Sequence, residues 1–186
     1  MRIISGFLKG KKIKYLKNKI TRPLKDSVKE NIFNIIKHSN HFDVRINHSN
    51  ILDLYSGVGS FGLECVSRGA KKVTFVEKDK RASDILNKNI LDLSINKTTR
   101  IICEDVEDFL NKNFKDKYQI IFLDPPFKDN GFIDNLKLIK KNNFFEKKHI
   151  VIIHREKNTK DDYAENLFII LEKIYGRSKV IFGTFT

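Results

Sequence analysis

Residues Ile51–Gly62 read ILDLYSGVGSFG: a short apolar run holding one acid, then three glycines in the spacing GxGxxG. Ile51, Leu52 and Leu54 suit a buried strand, and Gly57, Gly59 and Gly62 suit its turn into a helix near Phe61 to Ser67. Glycine is useful there because it lets backbone come close to a ligand and to a neighbouring element. Lys72-Val73-Thr74-Phe75-Val76 then reads as a second strand, closed by Glu77, where a carboxylate can hold both hydroxyls of a ribose. Strand, glycine turn, helix, strand and acid together describe one βαβ unit with a ligand turn at its top.

The same alternation continues outward. Ala82, Ile85, Leu86, Ile90 and Leu93 share one helical face; Arg100 to Cys103 is strand-like and precedes a short helix ending near Leu110; Tyr118 to Leu123 precedes Phe132, Ile133, Leu136 and Ile139 at helical spacing; His149 to Ile153 follows. Strands joined by crossover helices require a parallel sheet covered on both faces. Leu167 to Ile174 and Lys179 to Phe185 flank Tyr175-Gly176-Arg177-Ser178, a hairpin-like ending that adds an antiparallel edge strand. The expected fold is α/β and Rossmann-like: a mainly parallel sheet of about seven strands with one antiparallel strand. Upstream, Arg2 to Ile20 mixes short apolar pieces with glycines and lysines, as a small basic hairpin would, and Pro23 ends it. Ser27-Val28-Lys29-Glu30 fits a capping box, and the helix it starts should run to about His38. One domain over residues 1–186 is expected, with a basic arm at 1–24 and a catalytic core at 25–186.

The chain has 186 residues, 40% hydrophobic and 32% charged, with a formal net charge of +13. The apolar runs are short and the first ten residues carry no leader-like apolar stretch, so a soluble, cytoplasmic monomer without membrane contact is expected. Cys65 and Cys103 form no CxxC pair, and both read as small core residues; no metal site is expected among the five histidines. Charge is concentrated: six lysines fall within Lys9 to Lys19. Such a cluster favours a polyanion, because neutralised phosphates release condensed counterions. Lys9, Lys11, Lys12 and Lys14 are the candidate nucleic-acid contacts, with RNA the polyanion that the family resemblance below implies.

The acid in the opening stretch discriminates between cofactors. A nicotinamide dinucleotide would bring a pyrophosphate to the turn that already carries Asp53. S-adenosylmethionine has no phosphate, and its ammonium and sulfonium are attracted to a carboxylate. The site residues expected for S-adenosylmethionine are Asp53 for its amino-acid end, Tyr55, Gly57, Gly59 and Gly62 in the turn, Glu77 and Lys78 after the second strand, and Asp105 and Val106 after the third. Asp105 suits the adenine amine, although it also suits a helix N-cap.

Phe122-Leu123-Asp124-Pro125-Pro126-Phe127 ends another strand, where ligands of doubly wound sheets bind. The proline pair stiffens the exit and removes two N–H donors. Asp124 and the Pro125 carbonyl can then accept both hydrogens of one exocyclic amine, while Phe127 stacks on the base that carries it. Held this way, a poorly nucleophilic nitrogen aims its lone pair at a sulfonium methyl. Asp124, Pro125, Pro126 and Phe127 are the candidate catalytic residues.

These stretches, together with RIISG, KGKKI and TRPLKDSVKENIFN near the amino end, resemble the RsmD family. That resemblance implies a Rossmann-like methyltransferase fold and methylation of the exocyclic N2 amine of a guanine in bacterial 16S rRNA, guanine 966, during small-subunit maturation. It also implies that Arg22 and the helix from Asp26 to Asn34 help build the site or the RNA surface. Two departures stand out: Arg22 to Ser27 replaces an RPTxDR-type segment, and the carboxyl end lacks a late tyrosine. The competing readings are an adenine-N6 enzyme on RNA or DNA, a noncatalytic RNA-binding assembly factor, and a nicotinamide-dependent oxidoreductase.

Overall fold

The structure, a computed structural model, describes residues 1–15, 24–112, 115–129, 131–163 and 165–186. Its centre is a seven-stranded sheet made of β1 (Asn50–Leu54), β2 (Lys72–Val76), β3 (Thr99–Ile102), β4 (Tyr118–Leu123), β5 (Phe145–Glu156), β6 (Phe168–Tyr175) and β7 (Ser178–Thr184), in the order β3-β2-β1-β4-β5-β7-β6. The first five strands run parallel, and β7 is antiparallel to both of its neighbours. The antiparallel strand is therefore interior, not at the edge as the hairpin-like ending suggested. Its residues Val180, Ile181 and Phe182 are fully buried, whereas β6 takes the edge and leaves Phe168, Ile169 and Ile174 exposed.

Alternation along the strands supplies two apolar layers. Ile51, Ile120, Phe122, Ile150 and Ile152 face α1 (Asp26–His38), α2 (Ser60–Ser67) and α3 (Lys80–Asp92). Leu52, Leu54, Ile121, Leu123, Val151 and Ile153 face α4 (Val106–Leu110) and α5 (Phe132–Lys141). On the first face three rings stack in series: Phe33 on Phe61 at 5.1 Å and Phe61 on Phe122 at 4.0 Å between centroids. Each stacked pair contributes roughly 0.5–1.5 kcal/mol beyond burial. Phe122 lies two residues before Asp124, so this column fixes the end of β4 on which the candidate site is built.

α1 ends at His38 as its spacing requires, but its start differs from the capping-box reading. The helix begins at Asp26, Lys25 is its N-cap without a side-chain bond, and Ser27 lies inside the first turn. Lys29 is fully buried; its Nζ donates to the Arg2 carbonyl at 2.9 Å and faces Asp26 and Glu64. Glu64, also fully buried, accepts from the backbone N–H groups of Ile4 and Ser5 and from Arg68 Nε. These charges therefore anchor the amino-terminal segment. The anchored segment pairs through one antiparallel bridge, Arg2 with Lys12, and buries Ile3, Leu8 and Ile13 in the main apolar cluster. The rest of the hairpin expected over Arg2 to Ile20, from residue 16 on, and Pro23 lie outside the described residues. Of the two cysteines read as core, Cys65 is buried and Cys103 is exposed. Among the described residues no helix is long and apolar enough to cross a membrane.

Candidate active site

β1 and β4 are neighbours whose following elements go to opposite sides, so a crevice opens above their carboxyl ends. The glycine turn leaves from β1 and the Asp-Pro-Pro-Phe turn from β4. The Asp124 N–H donates to the Leu54 carbonyl at 3.3 Å, which joins the two turns at their bases.

Tyr55 leaves β1 with φ 57°, a left-handed conformation that costs a side-chain-bearing residue about 1–3 kcal/mol. Its hydroxyl accepts from Asn135 Nδ2 at 2.6 Å, so α5 holds the ring in place. Burial pushes the phenol up, and the negative charge of Asp129 adds to this. Gly57 and Gly59 have φ 55° and 87°; a Cβ at Gly57 would meet nothing within 4 Å, so the turn faces open space there. Gly62 serves differently. A Cβ on it would lie 2.3 Å from the Phe75 ring, so this glycine lets α2 lie against β2 and is not an open ligand contact.

Asp53 is 1% exposed beneath the turn, and its Oδ2 accepts from the Gly62 N–H at 2.9 Å. Burial pushes its carboxyl well up; the Gly62 N–H opposes this, and the charges of Asp124 and Glu77 reinforce it. Glu77 spans the turn, accepting from the Gly57 N–H at 2.7 Å and the Asp79 N–H at 2.8 Å. Asp53 thus senses two further carboxylates at the ends of these strands. Asp105 takes the N-cap of α4, accepting from the Glu107 N–H at 3.1 Å, and pairs with Lys78 at 3.2 Å. Its burial raises the carboxyl, but these partners win and leave it below the ordinary range. Val106 is buried beside it in α4.

In the second turn Pro125 is buried, Pro126 exposed and Phe127 half-buried. The prolines are not the sole source of stiffness. Arg155, fully buried, donates from Nη1 to the Pro126 carbonyl at 3.0 Å and from Nη2 to the Phe127 carbonyl at 3.2 Å. The same guanidinium forms a bidentate pair with Asp161, at 3.0 and 3.1 Å, and lies 4.4 Å from the centre of the Phe132 ring. Asp161 also accepts from the Tyr163 hydroxyl at 3.0 Å. Asp124 keeps a half-open side chain whose Oδ1 is 2.7 Å from His154 Nδ1. The Phe127 ring stands edge-on to His154 at 5.8 Å.

The residues expected at the ligand turns therefore converge, except that Gly62 packs the sheet. His154, Arg155, Asp161 and Asn135 escaped the sequence reading, which ended the fifth strand at Ile153. Lys9, Lys11 and Lys12 are exposed on the amino-terminal segment, Lys14 pairs with Asp92 at 2.6 Å, and Arg22 lies outside the described residues. Lys14 is tied toward the turn: Asn89 bonds its backbone N–H and carbonyl and also the Val58 carbonyl.

A family model described as conserved hypothetical protein 95 matches residues 1–184. The ribosomal RNA small subunit methyltransferase D of Haemophilus influenzae is 34% identical over 178 residues, covering 95% of this chain and 89% of its own length. The protein of the same name from Buchnera aphidicola subsp. Baizongia pistaciae is 35% identical over 156 residues, covering 84% of this chain and 76% of its own. Among solved structures, yhhF of Escherichia coli superposes with a TM-score of 0.84 at 26% identity, covering 98% of this chain and 96% of that one.

Proposed function

Because the chain belongs to the RsmD family, whose model covers residues 1–184, we propose that it methylates the exocyclic N2 amine of a guanine in 16S rRNA, guanine 966 in the family's scheme, using S-adenosylmethionine. It does so as a single catalytic domain in the cytoplasm. The observation that carries this reading is the joining of an acidic, glycine-lined turn to the Asp124–Phe127 turn at the ends of adjacent strands.

The residues present fit the cofactor. Among the described residues neither Asp53 nor Glu77 has a salt-bridge partner, so both carboxylates are available to the positive groups of the cofactor. Asp53 and Glu77 would hold the ammonium and the ribose, Gly57 would let the ligand lie against backbone, and Asp105, whose two oxygens already serve the Glu107 N–H and Lys78, would turn a remaining lone pair to adenine. When bound, S-adenosylmethionine supplies an electrophilic methyl on a sulfonium.

Asp124 and the Pro125 carbonyl accept the two amine hydrogens of the guanine, which draws the nitrogen lone pair out of conjugation. Arg155 takes the Pro126 and Phe127 carbonyls, so these cannot compete for the amine, and the turn is held from behind. Phe127 offers its ring to the base. With its lone pair released, the nitrogen would be the nucleophile for the methyl group that the bound cofactor would supply. Asp124 then receives the proton the nitrogen must lose. Exposed lysines at positions 9, 11 and 12 attract the RNA backbone.

Calorimetry separates the cofactors: S-adenosylmethionine binds and a nicotinamide dinucleotide does not. Nucleoside mass spectrometry after incubation with 16S rRNA, in naked or assembled form, reads the product. Methylated guanosine supports the assignment, and methylated adenosine alone would transfer it to an adenine-N6 enzyme.

A further inference from the structure

Asp124 does not stand alone, and its partner comes from a strand outside the cofactor unit. β4 and β5 run parallel with Leu123 opposite Ile153, so the next residues, Asp124 and His154, meet just beyond the shared ladder. His154 Nδ1 lies 2.7 Å from Asp124 Oδ1, and Nε2 lies 3.0 Å from Ser178 Oγ on β7. The ring is 5% exposed. A carboxylate accepts only, so at Nδ1 the imidazole carries a proton and donates it to Asp124, while Nε2 shares a hydrogen bond with the Ser178 hydroxyl. Of the neighbouring charged side chains, Arg155 is committed to Asp161 and Lys179 to the Thr159 carbonyl, which leaves Asp124 as the acid His154 touches.

We infer that His154 is a positioning residue for methyl transfer: its Nδ1–H fixes Asp124 Oδ1, so that Oδ2 faces the amine and takes its proton. This rests on the methyltransferase reading above. The arrangement follows the logic of a base oriented by a third group, with the roles of acid and imidazole exchanged. A carboxylate free to rotate about its Cβ–Cγ bond turns its lone pairs away from the amine for part of the time. Anchoring one oxygen leaves the other pre-aimed, and the Ser178 bond holds the anchoring ring in turn. The Phe127 ring, edge-on to His154, is placed by the same imidazole. One side chain thus sets both the proton acceptor and the stacking surface.

A kinetic cycle tests this. His154→Leu keeps the bulk and removes the donor; His154→Asn keeps an N–H close to the position of Nδ1. His154→Leu is expected to lower kcat by about 100-fold, the scale of a misplaced reacting group, with KM for S-adenosylmethionine and for RNA within about threefold. His154→Asn is expected to recover most of that loss. In an Asp124→Ala background, adding His154→Leu should cost no further turnover, because His154 acts through Asp124. A role limited to folding would lower thermal stability in both backgrounds and leave kcat unrescued by Asn. Wild-type kcat in His154→Leu, or equal losses in the two backgrounds, would overturn the inference. Absence of methyl transfer by the wild-type protein would instead overturn the methyltransferase reading itself.

Discussion

Asp124 and His154 touch at 2.7 Å although 30 residues separate them, because β4 and β5 are parallel neighbours whose register places Leu123 against Ile153. The contact belongs to the sheet and not to the loop. It gives the Asp-Pro-Pro-Phe turn a fixed wall, and Arg155, the next residue on β5, gives it a fixed floor by binding the Pro126 and Phe127 carbonyls.

That floor has a measurable worth. Removing Asp161 leaves a fully buried guanidinium without its counter-charge, and breaking a buried pair in this way costs about 3–5 kcal/mol. Urea unfolding of Asp161→Ala should show a loss on this scale. Burial raises the Asp161 carboxyl, but Arg155 and the Thr159 and Tyr163 hydroxyls outweigh it, so its folded pKa lies below 3.8. A depressed acid stabilises the fold above its unfolded pKa and loses that contribution as pH falls through the folded one. The gap between wild type and Asp161→Ala should therefore be widest above about pH 4 and narrow in more acidic buffer. A gap that grows on acidification would contradict the pairing.

Asp53 has the opposite sign. Burial raises its folded pKa above 3.8, so ionising it opposes folding as pH climbs beyond that value. Asp53→Asn, which can still accept from the Gly62 N–H, should stabilise the ligand-free protein at neutral pH and leave its stability unchanged below about pH 3. It should also weaken S-adenosylmethionine by about 10–100-fold, the range of one charged hydrogen bond. Thermal scans with and without cofactor read both effects. A variant destabilised at pH 7 would refute the assigned burial cost.

Gly62 separates packing from ligand binding. Gly62→Ala places a methyl group 2.3 Å from the Phe75 ring and should cost about 1–3 kcal/mol by overpacking. Calorimetry at a temperature where the variant is folded should find cofactor affinity within about threefold of wild type. A large affinity loss with unchanged stability would return Gly62 to the ligand turn.

The basic segment is tested by salt. Lys9, Lys11 and Lys12 are exposed, whereas Lys14 is held by Asp92. Replacing the first three by Ala should reduce the slope of log affinity against log salt by about 2–3, near one for each phosphate no longer neutralised. Lys14→Ala alone should change it by less. An unaltered slope in the triple variant would place the RNA surface elsewhere.

Much of the architecture was legible because apolar period and glycine punctuation agree. Ile51–Leu54, the GxGxxG turn and Glu77 specify one βαβ unit from local spacing alone. The interior place of β7 was not legible, since strand order depends on which edge buries Val180 and Phe182, and no local pattern encodes that. In the site, Asp53 declared itself as the acid within an apolar strand and Asp124 by its place directly after one. His154 and Arg155 did not, because polar residues after an apolar run read as the strand's end. Parallel register is the signal that reveals them: once β4 and β5 are neighbours, the residue after Ile153 must stand beside the residue after Leu123. The capping box also failed. The helix starts one residue earlier, at Asp26, which puts Ser27 inside the first turn and not at the cap.

The most direct test of the account is mass spectrometry of nucleosides from 16S rRNA treated with methyl-labelled S-adenosylmethionine and either wild-type protein or Asp124→Ala. The account expects label on guanosine N2 with wild type, and a loss of at least about 100-fold in Asp124→Ala while calorimetry shows cofactor binding retained. Label on adenosine, or equal label on guanosine from both proteins, would contradict it.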